Sequence, residues 1–173
     1  DLTRAMAERA PGRVMKFSRR SELEEGTYLE HGMIYVAHNG QKRPLFSTER
    51  ILIPGQHNVE NYLAAIAAVQ GMVSDEVILH TAETFPGVEH RIELVRTKDG
   101  VRYYNDSIAS SPTRTIAGLR SFHQKVILIA GGYDKKIPFD VLGKEVQDHV
   151  KTLVLTGHTA EKIRQAVVQA EGY

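Results

Sequence analysis

The alternation of strand-like and helix-like segments after residue 91 most constrains the fold of this chain. The predicted strands cover residues 92–97, 101–104, 126–130 and 152–156, and the predicted helices cover 112–122, 139–149 and 160–170. The run 126–130 is apolar throughout, which is typical of a parallel strand covered on both faces. Strands that alternate with helices of about ten residues form βα units. The sequence therefore predicts an α/β fold with a doubly wound, mostly parallel sheet.

The part of the chain before residue 86 predicts a small β-meander and helices. Its predicted strands are short and cover residues 13–18, 27–29, 33–37, 42–46 and 49–53. Two of the turns contain His31-Gly32 and Asn39-Gly40, and Asn-Gly is a strong hairpin signal. Its predicted helices cover 2–10, 62–69 and 74–84, and we expect the Ala-rich second one to be buried almost all round. Phe85-Pro86-Gly87 interrupts the pattern, which predicts a domain boundary between residues 86 and 87.

Composition excludes several classes of function. The 173-residue chain has a formal net charge of +1, which argues against the basic surface that nucleic-acid binding needs. It has no run of 18 apolar residues, so we predict no membrane span, and we find no signal peptide. It has no Cys, which excludes disulfides, thiolate nucleophiles and Cys-based zinc sites and is compatible with a reducing compartment.

The segment 101–122 has the strongest signal for a ligand site. Asn105-Asp106-Ser107 ends a strand, Ser111 occupies the N-cap position of the next helix, and Pro112 is its first residue. In open α/β sheets, ligands bind at the carboxyl ends of the strands. The Asp106 carboxylate can bind ribose hydroxyls there, but it can equally close an Asx-turn or cap the helix.

Three other groups are candidates of the same kind. Lys135, in the loop that follows Gly131-Gly132, can hold a carboxylate or phosphate, or that loop can be only a tight turn. The amides of Asn58 and Asn61 lie one helical turn apart and can read the edge of a base, or they can cap a helix. Arg91 can stack on an aromatic ring or be an ordinary surface residue. We find no P-loop, no Ser-His-Asp arrangement and no metal-ligand set.

Taken together and in this order, these segments resemble the Mur ligase family of peptidoglycan synthesis. The motifs that carry the resemblance are Gly55-Gln56-His57-Asn58-Val59-Glu60-Asn61, Gly87-Val88-Glu89-His90-Arg91-Ile92-Glu93, Asn105-Asp106-Ser107-Ile108-Ala109-Ser110-Ser111-Pro112-Thr113-Arg114 and Ala130-Gly131-Gly132-Tyr133-Asp134-Lys135. The last two are most similar to those of the members that add D-glutamate. The chain departs from the family pattern at Ile108, where many members carry Lys.

The resemblance implies a domain organisation. The family has a UDP-binding domain, a central ATPase domain and a Rossmann-like C-terminal domain. Residues 1–86 would be the β-meander and helical end of the central domain, and residues 87–173 an incomplete C-terminal domain. We expect the P-loop, the magnesium ligands and the UDP site before residue 1, and a further D-glutamate-binding loop after residue 173. We therefore expect this chain to be inactive alone.

The resemblance also implies an activity. It is the ATP- and Mg²⁺-dependent ligation of D-glutamate to UDP-N-acetylmuramoyl-L-alanine through an acyl phosphate, in the cytoplasm, with roles in cell-wall synthesis, cell division and cell shape. By the same resemblance, Asn58 and Asn61 would hold the adenine edge, Arg91 would lie against adenine, and Asp106 would bind the ribose hydroxyls.

The amino-acid substrate would lie at two further residues. Lys135 would pair with a carboxylate of D-glutamate, and Ser110 would stand close to the same substrate. The resemblance assigns no catalytic residue to this chain. Three other interpretations remain open: another Mur or folylpolyglutamate-type ligase, a non-catalytic nucleotide-binding module, and a dinucleotide-dependent oxidoreductase. The last is disfavoured because the chain has no G-x-G-x-x-G.

Overall fold

The structure is a computed structural model that describes residues 2–170, and it divides into two compact units between Phe85 and Pro86. Each unit combines helices with strands and contains one parallel strand pair, which confirms the α/β class. The assignment of residues 1–86 and 87–173 to two domains of a ligase stays a prediction. Within the described residues, no helix combines the length and the hydropathy that crossing a bilayer requires.

Four strands of the first unit form one sheet in chain order. They are β1 (Phe17–Ser18), β2 (Gly26–Glu30), β3 (Met33–His38) and β4 (Gln41–Ser47). β1 pairs with β2 in parallel, and the other neighbours are antiparallel. Both residues of the turns His31-Gly32 and Asn39-Gly40 have positive φ, as the tight turns favoured in hairpins require. The predicted meander is confirmed, although β1 is shorter than the predicted strand over 13–18.

The predicted strand over 49–53 is wrong, because the chain curls directly after β4. Thr48–Arg50 forms a short 3-10 helix. The Glu49 amide donates to the Ser47 hydroxyl at 3.3 Å, and the Ile51 amide donates to the Thr48 carbonyl at 3.1 Å. These local bonds satisfy the backbone groups that a further strand would have offered to the sheet.

Helices α1 (Leu2–Ala7), α2 (Gln56–Val69) and α3 (Asp75–Thr84) complete the first unit. α2 has one buried face, formed by Asn58, Tyr62, Leu63, Ile66 and Ala67. Asn61, Ala65 and Ala68 are exposed, so the expectation that this helix is buried almost all round is wrong. The Thr27 hydroxyl of β2 donates to the Leu63 carbonyl at 2.6 Å, which joins the sheet to α2 inside the core.

The second unit contains a hairpin and a parallel strand pair. The hairpin is β5 (Glu93–Lys98) and β6 (Val101–Asn105), and the parallel pair is β7 (Val126–Gly131) and β8 (Val150–Thr156). Its helices are α4 (Pro112–Leu119), α5 (Leu142–His149) and α6 (Ala160–Gln169). α4 is shorter than predicted, and Phe122 packs edge-on against Tyr104 instead. α5 starts later than predicted. Phe139 lies in the turn before it, and the Phe139 carbonyl accepts the Leu142 amide proton.

The core of the second unit lies on one face of the β7–β8 pair. Its buried members are Leu119, Leu142, Val146, Val150 and Ile163, with Leu128 and Leu155 of the strands packed against them. Exposure along β7 alternates, so that Ile127 is 59% exposed and Ile129 is 71% exposed. The prediction that 126–130 is covered on both faces is therefore wrong for the described residues, because the core forms on a single face of this pair.

Candidate functional site

The start of α2 carries the two predicted adenine contacts. The helix begins at Gln56, so Asn58 and Asn61 lie inside its first two turns and not ahead of it. Asn58 is only 8% exposed, and its amide nitrogen donates to the Pro54 carbonyl at 2.6 Å. Its amide oxygen accepts a bond from the Asn61 side chain at 3.3 Å. Asn58 thus fixes the entry to the helix, while Asn61 is exposed.

Arg91 lies in a tight turn that leads into β5. His90 and Ile92, its neighbours on both sides, have φ values of 64° and 47°. Ile92 is buried, whereas the Arg91 side chain is exposed. Among residues 2–170, no hydrogen bond or ion pair engages the Arg91 guanidinium. It is therefore free to meet an anionic or aromatic group.

Asp106, at the end of β6, faces this turn. Its Oδ1 accepts the Ile92 amide proton at 3.1 Å. Its Oδ2 lies close to α4, because a Cβ built on Gly118 would be 2.9 Å from it. The sequence left open an Asx-turn or a helix cap, and the bond from Ile92 adds a contact between two loops. A carboxylate accepts hydrogen bonds, and ribose hydroxyls are donors of the kind that it can bind.

The loop after Asp106 turns into α4 as the sequence predicts. The Ser111 carbonyl accepts the amide protons of Arg114 and Thr115, both at 3.1 Å, and Pro112 begins the helix. Ser111 holds the N-cap position without a side-chain capping bond. The Ser110 amide donates to the Ile108 carbonyl at 2.8 Å, and Ser110 itself is exposed.

Lys135 lies on a separate loop after β7. At the start of this loop, Gly131 has a φ of 140°, and a Cβ on it would lie 1.7 Å from the Thr156 carbonyl oxygen. Only glycine permits so close an approach of the two strand ends. Lys135 is exposed, and within the described residues its ammonium has no acidic partner.

The charge next to Lys135 is already neutralised. Asp134 forms an ion pair with Lys162 of α6 and accepts the Lys136 amide proton at 2.8 Å. The Lys162 hydrogen bond is the main reason that the pKa of Asp134 is held below its ordinary value. Because Asp134 is committed to Lys162, Lys135 remains available for an external carboxylate.

Sequence reasoning missed the pair of Asp134 and Lys162, since 28 residues separate its members. It also missed a nearby cleft of about 410 Å³ between the loop 136–140 and α6. Lys162 and Gln165 line this cleft but Lys135 does not, so the cleft is distinct from the predicted site. Within the described part of the chain, no group of three or more His, Asp or Glu is placed to hold a metal ion.

The described geometry thus brings three of the predicted residues together. Arg91, Asp106 and Ser110 belong to loops joined by hydrogen bonds in the second unit. Lys135 lies at the carboxyl end of β7 in the same unit, and Asn58 and Asn61 lie in the first. The roles that the resemblance gives to these residues stay predictions.

The second unit of the chain matches a known protein family. Residues 90–172 match the family described as "Mur ligase, glutamate ligase domain". This range begins at the turn that carries Arg91 and includes Asp106, Ser110 and Lys135.

Two curated relatives match almost the whole chain. UDP-N-acetylmuramoylalanine--D-glutamate ligase of Acetivibrio thermocellus is 56% identical over 167 residues, which are 96% of this chain and 36% of the relative. The protein of the same name from Clostridium beijerinckii is 52% identical over 95% of this chain and 35% of its own length. The chain therefore spans about a third of the length of these relatives.

A solved structure has the same fold. The UDP-N-acetylmuramate-alanine ligase MurC of Thermotoga maritima superposes with a TM-score of 0.61 at 16% identity, covering 88% of this chain and 36% of that one. The match to the solved structure shows a shared fold, whereas the sequence matches show common ancestry. On these sequence matches, the chain belongs to the Mur ligase family.

Proposed function

We propose that this chain is part of an ATP-dependent ligase that joins D-glutamate to UDP-N-acetylmuramoyl-L-alanine in cytoplasmic peptidoglycan synthesis. The observation that carries the proposal is the pair of exposed cations, Arg91 and Lys135, which no acidic side chain engages within the described residues. Both lie in the range that matches the glutamate ligase domain, and 56% identity to a D-glutamate ligase supports the choice of amino acid.

We propose nucleotide contacts in each unit, taken by itself. The exposed Asn61 amide contacts the adenine edge, and Asn58 contributes to the same contact while it holds the helix entry. The Arg91 guanidinium packs against the adenine ring, and the Asp106 carboxylate accepts the ribose hydroxyl protons. The bond from Ile92 orients the Asp106 carboxylate.

The amino-acid contacts come from the second unit. The Lys135 ammonium pairs with a carboxylate of D-glutamate, and the exposed Ser110 hydroxyl lies next to the same substrate. The reaction transfers the γ-phosphoryl group of ATP to the alanyl carboxylate, and the resulting acyl phosphate is attacked by the D-glutamate amine with release of phosphate. In phosphoryl transfer the protein contributes mainly positioning and charge stabilisation, which is the role proposed for these residues.

ATP and Mg²⁺ are the proposed cofactors. Arg91, Asp106, Asn58 and Asn61 fit a nucleoside, because they supply a planar cation, a carboxylate and amides. The described residues offer no cluster for Mg²⁺, so its ligands and the P-loop are proposed to lie in the remaining domains of the polypeptide. When bound, the metal would neutralise charge on the phosphates.

The first test replaces Lys135 in the full-length ligase. We expect Lys135→Ala to raise the KM for D-glutamate by about 10- to 100-fold, because a hydrogen bond to a charged group is lost. Lys136→Ala is the matched control, since Lys136 is adjacent and exposed and its loop contact uses its backbone amide. Equal effects of the two variants would contradict the role of Lys135.

The second test concerns the substrate. Phosphate release by the full-length enzyme is expected with D-glutamate and not with L-lysine, and equal release with both would assign the chain to another ligase of the family. The 173-residue chain alone is expected to show no ATP hydrolysis. Hydrolysis by this chain would contradict the proposal that the phosphate-binding residues lie elsewhere.

A further inference from the structure

The turn 90–92 adopts a backbone conformation that its own residues disfavour. Both His90 and Ile92 have positive φ, and this is a genuine outlier for a β-branched residue such as Ile92. Such conformations persist only where the surrounding structure enforces them. The groups that hold this turn therefore determine where Arg91 lies.

Hydrogen bonds from two directions hold the turn. The His90 amide donates to the Glu93 Oε2 at 2.7 Å, which closes the turn on β5. The Ile108 amide donates to the His90 carbonyl at 3.3 Å, and the Ile92 amide donates to Asp106 at 3.1 Å. These bonds bind the turn to the loop that follows β6.

A fourth contact joins the two side chains His90 and Asn105. The Asn105 amide nitrogen lies 2.8 Å from His90 Nδ1. The orientation of this amide is fixed, because its oxygen accepts the Ser107 amide proton at 3.1 Å. An amide nitrogen can only donate, so His90 Nδ1 must be the acceptor. In this arrangement the ring proton lies on Nε2, with Glu93 Oε2 3.6 Å from Nδ1.

We infer that His90 is a positioning residue for the nucleotide site, acting through the bond that its Nδ1 accepts from Asn105. This bond joins the turn that carries Arg91 to the loop that carries Asp106. The inference rests on the proposed function, in which both of those residues contact the nucleotide. His90 itself touches no substrate in this scheme, and its effect is confined to where Arg91 and Asp106 lie relative to each other.

The test uses two variants of the full-length ligase that both tolerate positive φ. His90→Gly removes the acceptor, whereas His90→Asn places an amide oxygen at the same δ1 position. We expect His90→Gly to raise the KM for ATP about five- to tenfold, as the loss of one hydrogen bond predicts, with kcat at saturating ATP within about twofold of the wild type. We expect His90→Asn to restore the KM for ATP to within about twofold.

A spectroscopic measurement tests the bond without using activity. In full-length ligase labelled with ¹⁵N-histidine, the signal that disappears in His90→Gly should show an unprotonated Nδ1 and a protonated Nε2. A protonated Nδ1 would overturn the inference. So would an unchanged KM for ATP in His90→Gly in an enzyme where Arg91→Ala raises it.

The proposed function fails in a different way. If neither Arg91→Ala nor Asp106→Asn alters the KM for ATP, while the His90 ring has the expected tautomer, the nucleotide assignment is wrong and the bond between His90 and Asn105 stands as a structural contact. If His90→Asn and His90→Gly are equally impaired, the acceptor at δ1 is irrelevant and the inference is overturned.

Discussion

The two units hold their proposed ligand contacts by different means. In the first unit, Asn58 and Asn61 are positioned by α2, and their bonds join residues three and four positions apart. In the second unit, three of the bonds that hold Arg91 and Asp106 join residues 14 to 18 positions apart, as between Ile92 and Asp106. Regular helix geometry does the positioning in the first case, and contacts between loops do it in the second.

The difference also shows in the backbone. α2 needs no unusual dihedral angle beyond its N-cap Gly55, whereas the loops of the second unit contain positive φ at His90, Ile92 and Lys136. Each such residue costs on the order of 1–3 kcal/mol, which the surrounding bonds must offset. The contacts of the second unit should therefore be more sensitive to substitution at neighbouring positions.

A substitution at Gly131 should have the largest effect on stability and tests this difference between the two units most directly. We expect Gly131→Ala to lower the free energy of unfolding by about 1–3 kcal/mol more than Gly132→Ala, as in overpacked sites. Both glycines have positive φ, but only at Gly131 would a Cβ meet the Thr156 carbonyl. Urea unfolding of the variants measures the difference. Equal losses would show that backbone strain, and not the close approach of β7 to β8, determines the cost of a substitution in this loop.

Substitutions at the start of α2 should change the free energy of unfolding by a smaller amount. We expect Asn58→Ala to cost about 1 kcal/mol of unfolding free energy, because the Pro54 carbonyl loses its partner. Asn61→Ala, one turn away on the exposed side, should change stability by less than about 0.5 kcal/mol. Thermal or urea unfolding compares the pair. A larger cost for Asn61 would mean that the helix entry is held from its exposed side.

The smallest expected effect concerns pH and the Lys135 loop. The pKa of Asp134 is depressed below 3.8 in the folded state, so its contribution to stability is present above that pH and is lost as pH falls through the folded pKa. A ¹³C titration of the Asp134 carboxyl should therefore show an inflection below 3.8. Lys162→Gln should move the inflection upward, because the hydrogen bond from Lys162 is the main cause of the shift.

A titration that Lys162→Gln leaves unchanged would assign the shift to the Lys136 amide instead. In that case the loop would be held by its backbone alone, and the second unit would resemble the first more closely. The exposed Lys144, which pairs with Asp148 on α5, offers a control substitution of the same charge.

Features that depend on neighbouring residues could be predicted from the sequence. Asn39-Gly40 and Asp99-Gly100 specify their turns because both positions need positive φ, which these residues tolerate. Pro112 specifies the start of α4 because a missing amide proton costs nothing there. Asp106 and Lys135 could likewise be placed at strand ends, because adjacent residues specify where those strands end.

Features that depend on tertiary contacts could not be predicted. The start of α2 at Gln56 has no side-chain cap to mark it, since Gly55 occupies the N-cap position. The apolar run 126–130 does not reveal that Ile127 and Ile129 face away from the core. The acceptor role of His90 Nδ1 depends on Asn105, which lies 15 positions along the chain. In the last two cases the deciding partner is distant in sequence.

Ile92 has a consequence for anyone who engineers this chain. Its φ of 47° makes Gly or Asn the residue that local backbone preference would select, so stabilising-substitution searches would turn to this position early. Ile92 is nonetheless only 8% exposed, and a Cβ built on Gly118 would lie 3.8 Å from its Cδ1. A smaller residue would relieve the strained φ but give up this burial, so backbone strain and side-chain burial oppose each other at a single residue.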